Sequence, residues 1–489
     1  MVNDSAEGSR SGFLNFLFKD KEREGTPSHG HSHSASSKSP APSLTPIQAA
    51  VKAVSEVQDV SSPALAQPLR DLQALLSVPH QQKRAENAQE LLANGGLALL
   101  LSWWPRFWRI PFTRDDLAEA RILPTRVNFT AALNVIGHAT QVDKECAKKV
   151  TEEGVKRMLE SLESEAAFLS VENNPLLIYI ATGIASTAAS ALALSDQVPD
   201  ALPIQGLEKQ TKSSEENLRL WSLLALALAS PTPPSLPNAE LKFLIHQLGA
   251  VAANEEHSLE KGCLRLVLLK ALTRLAQEEA ARGRLGRFGV VPALATALRS
   301  VQKEEPAALR AGLELAWELA LESENRERLG KKKSLSKLLA DERRGGADEL
   351  ATFAADVTAW LLEEEAFNLS GSGEGLGSRS RSAGASPQKR KARGHVLMVA
   401  NGRSPTLDAL WEHLVSEGWP LYTEPETLTS AVRGSVAQAG LLLIALSPGL
   451  AYDRLCRTRI AYGRALGKPC LLLRTQPGSQ HPPSWLSGD

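Results

Sequence analysis

Leu268-Leu269-Lys270-Ala271-Leu272-Thr273-Arg274-Leu275-Ala276 leads through Arg284-Leu285 and Gly289 into Val290-Val291-Pro292-Ala293-Leu294-Ala295-Thr296-Ala297-Leu298, and the same spacing then returns. Leu319-Ala320 follows Leu275-Ala276 by 44 positions, and Leu329, Leu335 and Leu338 repeat Leu285, Val291 and Leu294 at that offset. A fixed period of this length marks stacked helical units, none of which buries its apolar side alone. Gly289 stands between two helix-like runs, where a left-handed corner costs glycine least.

Outward from these two units, from about Ile47 to Phe367, apolar residues recur at three and four, as in Ile47, Val51 and Val54. Looser copies run from Ala132-Leu133 through Gly154-Val155 to Met158-Leu159, and from Ala88 through Gly95-Gly96 to Leu100. No strand-like alternation interrupts them. A helix ending in Leu-Ala, a corner glycine and a following Val-Pro-x-Leu pattern resemble armadillo repeats, whose units run to about 40–47 residues. The resemblance implies an all-α armadillo-like solenoid over residues 47–367 that grips a segment of another protein, with HEAT repeats as the alternative for the weaker units. The uncharged run Leu176 to Leu194 is rich in Ala, Ser, Thr and Gly, which fits a buried solenoid helix better than a membrane span. The aromatic cluster of Trp103, Trp104, Phe107 and Trp108 has two readings, an aromatic hot spot for a partner or a plug on the first repeat.

The chain has 489 residues, 43% hydrophobic but only 5% aromatic, a composition suited to helices packed through small and straight-chain residues. Lys+Arg and Asp+Glu balance at 55 each, so no overall field draws the molecule to nucleic acid or an anionic membrane, and neither a nucleic-acid partner nor a membrane span is expected. Four cysteines without CxxC spacing fit reduced thiols and predict no zinc site. With no apolar leader and Val2 after Met1, the expectation is a cytoplasmic protein. Residues 1–46 read as a disordered arm of Ser, Gly, Pro and charge, broken by Phe13 to Phe18 and by the alternating His29, His31 and His33.

Between 368 and 394 the composition shifts to Ser, Gly and Arg, a linker in which Lys389-Arg390-Lys391-Ala392-Arg393 has the form of a short nuclear-import signal. Residues 395–489 then change pattern. His395 to Ala400, Trp419 to Tyr422, Leu441 to Leu446 and Cys470 to Leu473 are unalternating apolar runs separated by helix-like segments. Such runs predict parallel strands buried on both faces, in a small doubly wound α/β domain with its functional loops after Ala400, Tyr422 and Ser447. None of those loops carries a GxGxxG or Walker motif, so no nucleotide site is announced.

In order and spacing these elements resemble a TIR domain: Ala400-Asn401 after the first strand, the helix from Leu407 to Leu414, the loop Glu424-Pro425-Glu426-Thr427, the strand ending at Ser447, and Cys456 opening a helix that runs to Gly467-Lys468-Pro469. In NAD-cleaving members of the family a glutamate stands one turn after that cysteine; here the position holds Arg459. A guanidinium opposes the cationic charge that develops at a glycosidic carbon, where a carboxylate stabilises it. The resemblance therefore implies a flavodoxin-like fold with a degenerate pocket (Asn401, Ser447 and Arg459), no cofactor, and self-association through Glu424, Glu426 and Thr427. The function expected is a signalling scaffold that binds proteins and forms homo-oligomers through the TIR-like domain. The alternative is an NAD hydrolase, with NAD as its substrate, restrained by the armadillo repeats.

Overall fold

In the computed structural model the described residues are 44–108, 124–163, 175–253, 259–363, 395–400, 405–422 and 435–474, short interruptions within these ranges aside. The helical part starts on a capping box. The Thr45 hydroxyl accepts from the Gln48 amide at 3.2 Å while the Gln48 side chain accepts from the Thr45 amide at 3.1 Å, closing the first turn of α1 (Pro46–Glu56). There follow α2 (Ala66–Leu76), α3 (Gln81–Ala93), α4 (Gly96–Trp108), α5 (Pro124–Val142), α6 (Lys144–Val150), α7 (Lys156–Glu163), α8 (Pro175–Ser195), α9 (Gln205–Gln210), α10 (Glu216–Ala229) and α11 (Asn238–Ala253). The clearest repeat supplies α12 (Leu259–Ala276), α13 (Glu279–Arg287) and α14 (Val290–Ser300). Its copy supplies α15 (Pro306–Ala320), α16 (Ser323–Gly330) and α17 (Lys333–Gly345), and α18 (Glu349–Glu363) ends the series.

One helix from each unit forms a ladder: α2, α5, α8, α10, α12, α15 and α18 each pack on the next. A rung lies between two others and must be apolar on both sides, which is why α15 buries Ala311, Leu313, Leu315, Ala316, Trp317, Leu319 and Ala320 around its whole circumference. The same position explains α8. It is long and apolar enough to cross a membrane, yet most of it is buried, packed against α5 and α10. The fold is thus a helical repeat, as the period in the sequence requires.

The two best units also repeat a polar device. Arg282 donates from Nε to the Ala276 carbonyl at the end of α12 at 2.9 Å. Arg326, 44 positions on, donates from Nη1 to the Ala320 carbonyl at the end of α15 at 3.0 Å. Both arginines are buried, and each satisfies carbonyls that a helix C-terminus leaves unpaired. The Asn325 side chain, which donates to the Arg282 carbonyl at 3.1 Å, ties the two corners together. Arg326→Ala should lower stability by about 1–3 kcal/mol, because a buried carbonyl loses a charge-assisted bond; a urea midpoint unchanged from wild type would refute the cap. Gly289 takes φ 93° at the start of α14, as its place in the sequence predicts. Gly154 behaves differently, lying in a π-helical turn, Thr151–Val155, that joins α6 to α7 without a corner.

The C-terminal part contains β1 (His395–Val399), α19 (Pro405–Ser416), β2 (Leu421–Tyr422), β3 (Ala439–Leu446), α20 (Arg454–Ala465) and β4 (Cys470–Arg474). The strands form one parallel sheet of order β2-β1-β3-β4, with Val396 opposite Leu421, Met398 opposite Leu443 and Ile444 opposite Leu472. β3 is central and buried. β4 corrects the expectation of burial on both faces: Leu471 is 51% and Leu472 36% exposed, because β4 is the outer strand and, among the described residues, little packs over it. Leu397, Val399, Leu442, Ile444, Cys456, Ile460 and Tyr462 belong to the same continuous apolar core as the helical ladder.

Candidate docking site

The ladder and the α/β module meet at a buried carboxylate. Glu318 interrupts the apolar run of α15, and its side chain is completely inaccessible to solvent. An isolated carboxylate in such a place would be protonated or would destabilise the fold. α20 supplies the compensation. Arg454 donates from Nε to Glu318 Oε1 at 2.8 Å, and Arg457 donates from Nη2 to the same oxygen. Burial pushes the Glu318 carboxyl up, but the charges of Arg457, Arg454 and Arg282 outweigh it and hold the group below its ordinary value. Arg454 is likewise held protonated: burial works against its charge, and Glu318 and Glu314 more than offset that.

Around this ion cluster the contacts are specific in shape. The Arg454 guanidinium lies 5.0 Å from the centre of the Trp317 ring and 3.7 Å from Glu314 Oε2. The Trp317 indole donates to Thr458 Oγ1 at 2.9 Å, and Arg457 Nη1 donates to the Gln277 carbonyl at 3.2 Å. Two turns further along α20, the Tyr462 ring meets Trp360 of α18 edge to face at 4.7 Å. Positions 454, 457, 458 and 462 share one face of a helix by the 3.6-residue period, so α20 docks along two rungs at once. Asp453 caps α20 by accepting from the Cys456 amide at 2.7 Å, which fixes where that face begins.

The sequence-derived candidates fall elsewhere. Trp103, Trp104 and Phe107 are buried in the N-terminal core, Trp104 and Phe107 packing on Phe129 at 5.1 and 5.6 Å, so these three rings offer no surface to a partner. The Trp104 indole donates to Ser161 Oγ at 2.9 Å. The Trp108 side chain lies outside the described residues, as do Asn401, Glu424, Glu426, Thr427, the N-terminal arm and the basic linker motif. Arg459 is half-buried on α20, beside Cys456, whose thiol donates to the Ala400 carbonyl at 3.4 Å. Arg459 thus lies near Ala400, just past the end of β1. Ser447 follows β3 with its hydroxyl buried and, among the described residues, without a hydrogen-bond partner. Burial and the nearby Asp453 push the Cys456 thiol up to about 12, despite Arg459, so it is not a nucleophile at neutral pH. No cluster of metal ligands occurs among the described residues.

Sequence reading missed Glu318, Arg454 and Arg457. The available signal was the second of two carboxylates, Glu318 one turn after Glu314, set among Leu315, Ala316, Trp317, Leu319 and Ala320 in a helix that must be buried on all sides.

No family model matches the chain, and no curated protein matches it. Among solved structures it is similar to an engineered protein determined by the Northeast Structural Genomics Consortium, with a TM-score of 0.33, 15% identity, and coverage of 65% of this chain and 68% of that one. It is also similar to a designed armadillo repeat protein, with a TM-score of 0.28, 15% identity, and coverage of 65% of this chain and 99% of that one. These likenesses are too loose to carry an argument. The repeat fold rests on the chain's own period and packing.

Proposed function

We propose that the chain is a protein-binding scaffold in intracellular signalling, in which an armadillo-like solenoid holds a TIR-like association module in a docked state. The observation that carries this reading is α20 seated on α15 through Glu318 and on α18 through Trp360. The order and parallel pairing of the strands support the TIR-like part, and Arg459 beside the carboxyl end of β1 supports a module without NAD-cleaving chemistry. No cofactor is needed for such a role, and unpaired cysteines suit a cytoplasmic setting.

The docked state restrains the module's association with like modules. In the full chain, Arg457→Glu sets a second anion against Glu318 and releases α20. Light scattering should then show concentration-dependent self-association that the wild type lacks. A variant whose α20 amides exchange freely while the molecule stays monomeric would count against the reading.

A further inference from the structure

We propose that the Glu314, Trp317, Glu318 and Trp360 surface is a receptor for basic helices, that α20 is its resident occupant, and that a partner helix of the same pattern displaces it. The inference rests on the scaffold reading and deepens it by naming the partner's chemistry. The pattern is an arginine at i and i+3, a hydroxyl at i+4 and an aromatic ring at i+8, as in Arg454, Arg457, Thr458 and Tyr462.

Each element of the pattern answers a fixed group on the ladder. Glu318 favours cations, since Arg457 and Arg454 supply the larger part of the charge that offsets its burial and Arg282 of the ladder the smaller. A cationic occupant restores that compensation where a neutral one does not. Arginine is required over lysine: at 454 a planar guanidinium lies against the Trp317 ring while bonding the carboxylate, and at 457 one fork reaches both Glu318 and the Gln277 carbonyl. The hydroxyl answers the Trp317 indole, and the aromatic ring answers Trp360.

A second observation bears on how fully the resident helix uses the site. Glu318 Oε2 and Arg457 Nε are both buried with no hydrogen-bond partner among the described residues. Unmade bonds at buried charged groups weaken an interface, so α20 holds the site short of its full capacity. A helix able to reach Oε2 binds the same surface more tightly and frees the α/β module.

The test uses a fluorescein-labelled peptide with the sequence of residues 453–467, titrated by anisotropy against three full-length chains: wild type, Arg454→Ala/Arg457→Ala, and that double variant with Glu318→Gln. The expected order is at least about tenfold tighter binding to the double variant than to wild type, with that gain lost on adding Glu318→Gln. A peptide with lysine at both arginine positions should bind the double variant at least about tenfold more weakly. Equal affinity for all three chains, or indifference to the lysine exchange, overturns the proposal. Should the variants fail to fold, wild type decides alone: excess arginine peptide must accelerate amide exchange in α20 while the lysine peptide does not, and no acceleration overturns the proposal. The scaffold reading is judged separately, by self-association of the Arg457→Glu chain, whichever way the titration falls.

Discussion

Glu318→Ala lowers the stability of the docked chain by about 3–5 kcal/mol, the range found when one member of a buried ion cluster is removed and its partners are left uncompensated. Arg457 is nearly as buried as Glu318, so its guanidinium gains no water in exchange for the lost carboxylate unless α20 leaves the site. The expected observation is fast amide exchange across α20 together with a lower urea midpoint. Glu318→Gln should lie between, since an amide oxygen still accepts from Arg454 but carries no charge. Unchanged exchange in α20 would show that the aromatic contacts alone hold the module.

The same carboxyl sets a pH limit. Its docked value lies below the ordinary glutamate value of 4.5, so the released state binds its proton first as pH falls. The stabilisation is fully present above that ordinary value and disappears as pH drops through the depressed one. Release of α20 by protonation of Glu318 is therefore an acid-side event, and Glu318→Gln should remove this pH dependence from α20 exchange.

Trp104→Ala is expected to cost about 3–5 kcal/mol, as truncation of a buried aromatic leaves a cavity that its neighbours fill only in part. Here it also leaves Ser161 without the indole donor and Phe129 without its edge-to-face partner. The measurement is urea denaturation followed by helical circular dichroism. A change below about 0.5 kcal/mol, the size of a surface substitution, would restore the view of this cluster as a contact surface.

The Glu318 and Trp104 predictions mark where sequence reading succeeds and where it stops. The 44-residue offset from Leu275-Ala276 to Leu319-Ala320 is a local periodicity, and it places α12 to α17 because each unit repeats the same packing problem. The strand runs at Leu397, Leu442 and Leu471 likewise place β1, β3 and β4, although the same apolar signal overstates the burial of β4. For Trp103, Trp104 and Phe107 the composition serves a surface and a core equally, and only the packing on Phe129 separates them. The docking cluster joins Glu318 to arginines 136 and 139 positions away. No spacing rule spans that distance, and on a sequence Arg454 and Arg457 look like any cationic helix face.

Stacked repeats are bound by their neighbours, so the last unit in a series has one flank with nothing to lean on and tends to fray first. Among the described residues that unit is α18, and Trp360, only 4% exposed, is covered by Tyr462. The α/β module thus serves as the end-piece of the array it sits on. Every displacement of α20 bares an indole and loosens the terminal unit, so release of the module and melting of the array's final turn are thermodynamically one event.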